Sequence, residues 1–430
     1  MTVLCLDVGS TWTKGALVSD DGALLGTAQH PTTPPEVLHG VDHVAAVLEA
    51  DEVLVCSSAG GGLRLAVVGQ ERLVSAEAGY RVALSAGAKV VHVSAGPLDG
   101  AGVRALRAAR PDLVLLVGGT DGGDRSVLLH NAAKVARVAC PIVLAGNAEA
   151  RAEALGLLAG RTVVATANVL PDVGELAPAP ARAAIREVFL DHVIGGKGLS
   201  RGPRFRRLVR AVTPDAVLRG VSRLAARDRE GAVLVVDVGG ATTDVYSAVS
   251  TADEVERTVA LPADRRTVEG DLGLRWSAPG VVAEALTEKL IDKAEAATLG
   301  EHARAFAADV TLLPDDPSVD LRLATLAAIL AARRHLRLVD GRLGPKGAGL
   351  LVLSGGVFRH APTTAAAEEA LRADPVLRPV LRSADLRVDR DYVLAPAGLL
   401  ADTGRPEAAD RLLRDFYDFF ASDRSRSGSR

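Results

Sequence analysis

The sequence predicts an α/β protein built as two lobes with an internal duplication, and three observations carry that prediction. One phrase is written twice: VLCLDVGSTWTKGALV at 3–18 and VLVVDVGGATTDVYSA at 233–248 share Val-Leu, Asp-Val-Gly and a Thr six places after the Asp. Between them, apolar strand-like runs alternate with helical periodicity, the rhythm of an α/β fold. The proline-rich stretch PDVGELAPAP at 171–180 marks a crossing point between the halves.

The elements follow in order. Runs at 3–9, 14–19 and 23–29, with the turn signal DDG at 20–22, read as a meander of antiparallel strands. A helix over 36–50 and strands at 52–58 and 62–69 come next. A helix (76–88), a strand (90–94), a helix (99–109), a strand (112–119), a helix near 125–137, a strand (141–146), a helix (148–158) and a strand (162–168) complete the first lobe. Past the crossing, 180–194 is helical. So is 213–227, with Thr213 placed as N-cap and Pro214 in the first turn. The second copy of the phrase opens another meander. Helices over 281–297 and near 317–335, a strand at 349–356 and a helix over 406–421 follow. The expected division is lobe I over 1–172, completed by the C-terminal helix at 400–421, and lobe II over 173–399. The polar tail 422–430 has the composition of a disordered segment.

Composition narrows the function. A chain of 430 residues, 48% hydrophobic, has the length of about two to three domains and can bury a sizeable core. No apolar run approaches the roughly 18 residues of a membrane span, and the first run reads as a strand rather than a signal peptide. Cys5, Cys56 and Cys140 sit in apolar runs without CxxC spacing, as expected of buried thiols in a reducing cytoplasm. A net charge of −3 favours no nucleic acid. His39 and His43 are spaced i, i+4, but no third ligand lies near them in sequence, so they read as no metal site.

The chemistry must then come from Asp, Thr, Gly and backbone groups. A strand ending in Asp, then a Gly/Ser/Thr turn into the next strand, can bind phosphate. Glycine lets backbone N–H groups approach the oxygens, hydroxyls add donors, and the Asp is an oxygen ligand for Mg²⁺ through water. Two such hairpins can clamp a Mg²⁺–triphosphate from both sides of an interlobe cleft. A third signal, LLVLSGGVFRH at 350–360, ends a strand in Gly-Gly, suited to lying against a nucleoside.

In this order the three signals resemble the actin, Hsp70 and sugar-kinase superfamily: two phosphate motifs and an adenosine motif. The resemblance implies a two-lobed, actin-like (ribonuclease-H-like) ATPase fold. GDLGLR at 270–275 resembles a turn found downstream of the second phosphate motif. SSAGGGLRLAVVG (57–69), LLVGGTDGGD (115–124), ANVLPDVGEL with PARAAIREVF (167–189), TPDAVL (213–218) and EGDLGLR (269–275) are similar to the MutL-type (GlmL-type) accessory proteins of adenosylcobalamin-dependent glutamate mutase. That resemblance runs from about residue 1 to 420. It implies ATP-driven assembly, protection or reactivation of a mutase or aminomutase, with ATP/ADP and Mg²⁺ as ligands and the mutase subunits as partners.

Residue by residue, Asp7 and Asp237 are expected to hold Mg²⁺ through water. Gly9, Ser10, Thr11 and Thr13 line the phosphates from lobe I, and Gly239, Gly240, Thr242 and Thr243 from lobe II, with Gly270 and Asp271 in the downstream turn. Lys14 offers either a charge to phosphate or a solvated hairpin lysine. Asp244 is either an acidic site position or a turn cap. Asp121, in GGTDGGD with Asp124, is either the group that orients the attacking water or a turn-former. Gly355 and Gly356 are placed on the adenosine, and Arg359 either stacks on adenine or faces solvent. The basic run KGLSRGPRFRRLVR (197–210) reads as a solvated loop or a surface for an acidic partner or the corrin rim. DFYDFF (415–420) reads as a helix pinned to its own lobe or a docking element. Two further readings stay open: a small-molecule kinase on the same fold, and a non-enzymatic nucleotide-gated binding protein.

Overall fold

The computed structural model describes residues 1–416 except 59–62, 72–73, 87, 174, 190–199, 201–203, 227–230, 250–263, 340–342 and 344–345. The tail call and most of the aromatic DFYDFF cluster therefore lie outside the described residues, as do Lys197 and Arg201 of the basic run.

Thr2–Val8 (β1), Trp12–Ser19 (β2) and Leu24–Pro31 (β3) form the first antiparallel meander. Helix α1 (Leu38–Val47) leads to Glu52–Ser57 (β4), which pairs parallel to β1. β1 lies between β2 and β4, which explains its nearly continuous apolar sequence: Leu4, Leu6 and Val8 enter one core and Val3 and Cys5 another. β3 lies at the sheet edge and alternates exposed and half-buried residues along its length. The chain then builds a separate parallel sheet from Arg64–Gly69 (β5), Lys89–Ala95 (β6), Leu113–Leu116 (β7), Ile142–Leu144 (β8) and Val163–Ala165 (β9). Helices α2 (Ser75–Ser85), α3 (Gly100–Ala108), α4 (Ser126–Val135) and α5 (Arg151–Leu157) connect the strands, in the order β6-β5-β7-β8-β9. After α6 (Pro178–Val188) and α7 (Arg204–Leu208), Val209–Val212 (β10) returns to pair with β4. The first sheet thus takes its fifth strand from beyond residue 172. The order is β10-β4-β1-β2-β3.

Helix α8 (Thr213–Ala225) crosses to the second half, which repeats the plan. Ala232–Val238 (β11), Thr243–Ala248 (β12) and Asp264–Glu269 (β13) form a meander. Helices α9 (Ala278–Thr287), α10 (Lys293–Ala308) and α11 (Pro317–Leu338) follow, then Ala348–Ser354 (β14), α12 (Gly356–His360), α13 (Ala365–Ala373), Asp385–Val388 (β15), α14 (Leu394–Asp402) and α15 (Pro406–Leu412). The order β13-β12-β11-β14-β15 matches the first sheet strand for strand. This is the two-lobed, internally duplicated α/β fold that the repeated phrase predicts, on the actin-like plan that the superfamily resemblance implies.

Three local expectations are corrected. The single helix over 281–297 is two, broken where Lys289 adopts φ 59° and Asp292 caps α10 by accepting from the Glu295 N–H. Thr213 is the first helical residue rather than the N-cap, and Val212 caps α8. The basic run is no simple loop: part of it forms α7 and β10, Phe205 is buried, and Arg204 pairs with Asp42.

The two lobes share one core. Val3 and Cys5 of β1, Val233 and Val235 of β11, and Val217, Val221, Leu394 and Leu399 of the crossing helices belong to a single buried cluster. α8 and α14 touch through glycines: a Cβ on Gly220 would lie 2.2 Å from the Leu394 carbonyl oxygen, and one on Gly398 would lie 1.8 Å from that of Ala216. The C-terminal segment lies against the first sheet, with Arg405 donating to Glu52 at 2.5 Å, Arg411 paired with Asp21, and Phe416 buried in the shared core.

Candidate functional site

The repeated phrase forms two hairpins of the same geometry. The Gly9 N–H donates to the Trp12 carbonyl at 3.0 Å, and the Gly239 N–H to the Thr242 carbonyl at 2.9 Å. Asp7 lies opposite Lys14 in the first hairpin, and Asp237 opposite Asp244 in the second. The two turns meet. A Cβ on Gly240 would come within 3.3 Å of the Thr11 methyl. Gly239, Gly240 and Thr11 are half-buried, and Ser10 is exposed.

The register corrects two expectations. Thr13 opposes Val8 and Thr243 opposes Val238, so both side chains leave the sheet on the face away from the Asp pair. Each is fully buried: the Thr13 hydroxyl shares a 3.2 Å hydrogen bond with that of Thr32, and Thr243 donates to the Leu272 carbonyl at 2.6 Å. They brace the turns from behind and do not line a phosphate site. Thr242 remains on the rim, its hydroxyl donating to Asp244 at 3.1 Å, while Asp244 is held by Arg266.

Lys14 is not a solvated hairpin lysine. Its Nζ lies 3.3 Å from the centre of the Tyr392 ring, a cation–π contact between a lobe I strand and the loop before α14. Asp7, Lys14, Arg359, Asp391 and Tyr392 line one small cavity between the lobes. Arg359 therefore points into this cavity rather than simply outward. Burial lowers the Lys14 pKa, and the fields of Asp7 and Asp237 oppose that shift. Asp7 is buried; it accepts from the Thr213 hydroxyl at 2.5 Å and lies 3.7 Å from the Cys56 thiol. Burial raises its pKa against the pull of Lys14 and Thr213. Asp237 is only partly covered, yet burial pushes it up to about 6, opposed by Lys14 and by a hydrogen bond from Ser354. Asp389 caps α14 through the Val393 N–H at 2.8 Å, and burial likewise raises it to about 6.

This arrangement suits a hydrated Mg²⁺. Asp7 and Asp237 end facing strands, and no group of three His, Cys, Asp or Glu residues among the described residues forms an all-protein cage. A cation that keeps its waters needs only one or two carboxylates and the ligand's phosphates. A pH effect follows. Ionised Asp237 opposes the ligand-free fold, because its folded pKa lies above the usual carboxylate value of 3.8. That unfavourable contribution appears as pH rises from 3.8 through about 6. Asp237→Asn should therefore melt above wild type at pH 8, with the gain gone by pH 4. Calorimetric scans across that range check it, and equal melting temperatures at pH 8 would contradict it.

Gly270 and Asp271 belong to a loop that braces the second hairpin. The Leu274 N–H donates to the Gly239 carbonyl at 3.0 Å and the Arg275 N–H to that of Gly240 at 2.8 Å. Asp271 is exposed and pairs with Arg334 at 2.8 Å, so it supports the loop from outside. The demanding glycine is one the sequence reading did not single out. A Cβ on Gly273 would lie 2.3 Å from the Ala241 carbonyl carbon. Arg275, held by Asp320 at 2.8 and 2.9 Å, fixes the same loop and was also missed. Gly355 adopts φ +112° with its Cβ position 2.2 Å from the Val238 carbonyl oxygen, so it seals β14 against β11. Gly356 is exposed, with nothing within 4 Å of its Cβ position, and is the member of the pair with room for a nucleoside.

Asp121 belongs to a different sheet from the two hairpins. It follows β7 in the separate parallel sheet, where it accepts from the Ala148 N–H at 2.8 Å and the Asn168 amide at 2.9 Å. Asp124, in the same loop as Asp121, accepts from Ser126 and from Gln70 after β5. Both are turn-forming groups of that sheet. Cys5, Cys56 and Cys140 are free, buried thiols, and burial pushes Cys5 up to about 12. The chain's two tryptophans flank the hairpin junction. Trp12 is 42% exposed and Trp276 60%, and the Trp276 N–H donates to the Gly240 carbonyl at 3.1 Å. No helix among the described residues is long and apolar enough to cross a membrane.

Comparison with known proteins adds family evidence to this geometry. A family model described as MutL protein matches residues 3–417. A protein of Clostridium tetanomorphum described as Protein MutL is 32% identical over 457 aligned positions, covering 96% of this chain and 98% of that one. Among solved structures, a PilM-PilN type IV pilus biogenesis complex aligns at 13% identity and a TM-score of 0.37, over 97% of this chain and 98% of that one. A ROK hexokinase from Thermus thermophilus aligns at 15% identity and a TM-score of 0.27, over 97% and 100%. At those scores the structural likenesses carry no argument; the fold rests on the sheet topology above.

Proposed function

This chain belongs to the MutL protein family, and from that membership and the interlobe cleft we propose that it is a Mg·ATP-dependent accessory protein for an adenosylcobalamin-dependent mutase. The client would be a glutamate mutase or an aminomutase. The observation that carries the nucleotide reading is the pair of hairpins of one geometry, meeting at Thr11 and Gly240 with an Asp behind each.

The chain's own groups suggest how the lobes respond. Lys14 belongs to lobe I, yet it rests on Tyr392 and feels Asp237 and Asp389 of lobe II. A phosphate group competing for Lys14 would weaken that bridge. ATP and ADP differ by one phosphate and so favour different lobe arrangements through differential contacts. A client bound to one arrangement then senses the nucleotide, and by linkage changes nucleotide affinity by the same factor.

Turnover should be slow in isolation. Asp121, the group expected to orient water, is tied into the parallel sheet. Basal phosphate release is expected far below the roughly 10 per second typical of metabolic enzymes, and to change when the mutase is added. Release at that typical rate without a partner, alongside phosphorylation of a small hydroxylated metabolite, would overturn the proposal in favour of a kinase.

A further inference from the structure

The duplication extends behind the two aspartates. Across β1 and β4, Asp7 pairs with Cys56; across β11 and β14, Asp237 pairs with Ser354. Each of these neighbours touches its Asp: the Cys56 thiol lies 3.7 Å from Asp7 Oδ1, and Ser354 hydrogen-bonds Asp237. One strand further out, β10 is followed by Thr213 and β15 by Asp389, each on the way into a crossing helix. There the two copies part. Asp389 accepts from the Val393 N–H and caps its own helix, α14. Thr213, the first residue of α8, instead donates its hydroxyl to Asp7 Oδ1 at 2.5 Å.

Both partners of that bond are buried. A hydroxyl donating to a carboxylate away from water is a strong, charge-assisted contact, and it fixes the rotation of the acceptor. The thiol and the hydroxyl fall on the same oxygen, Oδ1; among the described residues no hydrogen bond falls on Oδ2. Asp237 is thus supported from within its own sheet, whereas Asp7 is also held from a helix. That helix is locked to α14 by the Gly220 and Gly398 approaches and enters the core that the lobes share.

We propose that Thr213 is a positioning residue: from the crossing helix it fixes the Asp7 carboxylate and leaves Oδ2 for the waters of a hydrated Mg²⁺. The proposal rests on the Mg·nucleotide reading above. It makes the two carboxylates unequal, because a shift of α8 against β1 changes how Asp7 is presented and leaves the Asp237–Ser354 contact as it was.

The test is calorimetric titration of the full chain with ADP over a series of Mg²⁺ concentrations, including none. Thr213→Val keeps the shape and removes the donor. It should raise the Mg²⁺ concentration needed for the half-maximal gain in ADP affinity about tenfold. Thr213→Ser restores the hydroxyl and should return it to within about twofold of wild type. Thr213→Cys, a weaker donor, serves if Thr213→Val fails to fold. In an Asp7→Asn background, removing the Thr213 hydroxyl should have no further effect on the Mg²⁺ dependence. Unchanged Mg²⁺ dependence in the folded Val or Cys variant, or an equal loss of ADP affinity with and without Mg²⁺, would overturn the role of Thr213 alone. No ADP binding by wild type at any Mg²⁺ concentration would overturn the nucleotide reading and this role with it.

Discussion

Gly398→Ala should destabilise the protein by about 1–3 kcal/mol or more, and Gly398→Leu should prevent soluble expression. The added Cβ would lie 1.8 Å from the Ala216 carbonyl oxygen and 2.6 Å from its carbon, both backbone atoms that no rotamer change can move. The two helices must separate, and overpacking a dense core carries a cost of that size. The partner glycine in α8, Gly220, faces the Leu394 carbonyl at 2.2 Å and should behave alike. These helices form the floor between the lobes, so the loss should appear as a lower melting temperature of the whole chain. An Ala variant that melts with wild type would show that the close crossing is not required.

Asp237→Ala should weaken Mg·ATP binding by more than about tenfold, equivalent to about 1.4 kcal/mol. Asp237 is the more accessible of the two strand-end carboxylates, and Ser354 holds it in place. Its removal takes away the lobe II ligand while Lys14 keeps Asp7 and Asp389 as neighbours, so the fold should survive. Calorimetric titration of both proteins reads the difference directly. Equal affinities would dismantle the two-sided clamp.

Much of this architecture was legible because it is written in short-range patterns. Asp-x-Gly at a strand end, repeated, identified both hairpins and their relation. The errors came where long-range pairing decides. Periodicity showed β5 to β9 as strands but could not show that they leave the first sheet, so it could not place Asp121 in a sheet separate from that of the first hairpin. Thr13 and Thr243 could have been excluded by parity, since each stands one residue away from the position opposite the Asp. Gly220 and Gly398 carried a signal too: an isolated glycine in a helical pattern often marks a close approach. Nothing in the sequence placed Tyr392 over Lys14, because residues so far apart meet only through the crossing of α8 and α14.

The most direct measurement of the central claim is reactivation. A glutamate mutase or aminomutase is inactivated by turnover, then mixed with this protein, Mg·ATP and free adenosylcobalamin. Recovered activity that is lost with Asp7→Ala, and lost with a non-hydrolysable ATP analogue, is the predicted result. No recovery with any such mutase, and no complex with one in the presence of ATP, ADP or neither, would contradict the account.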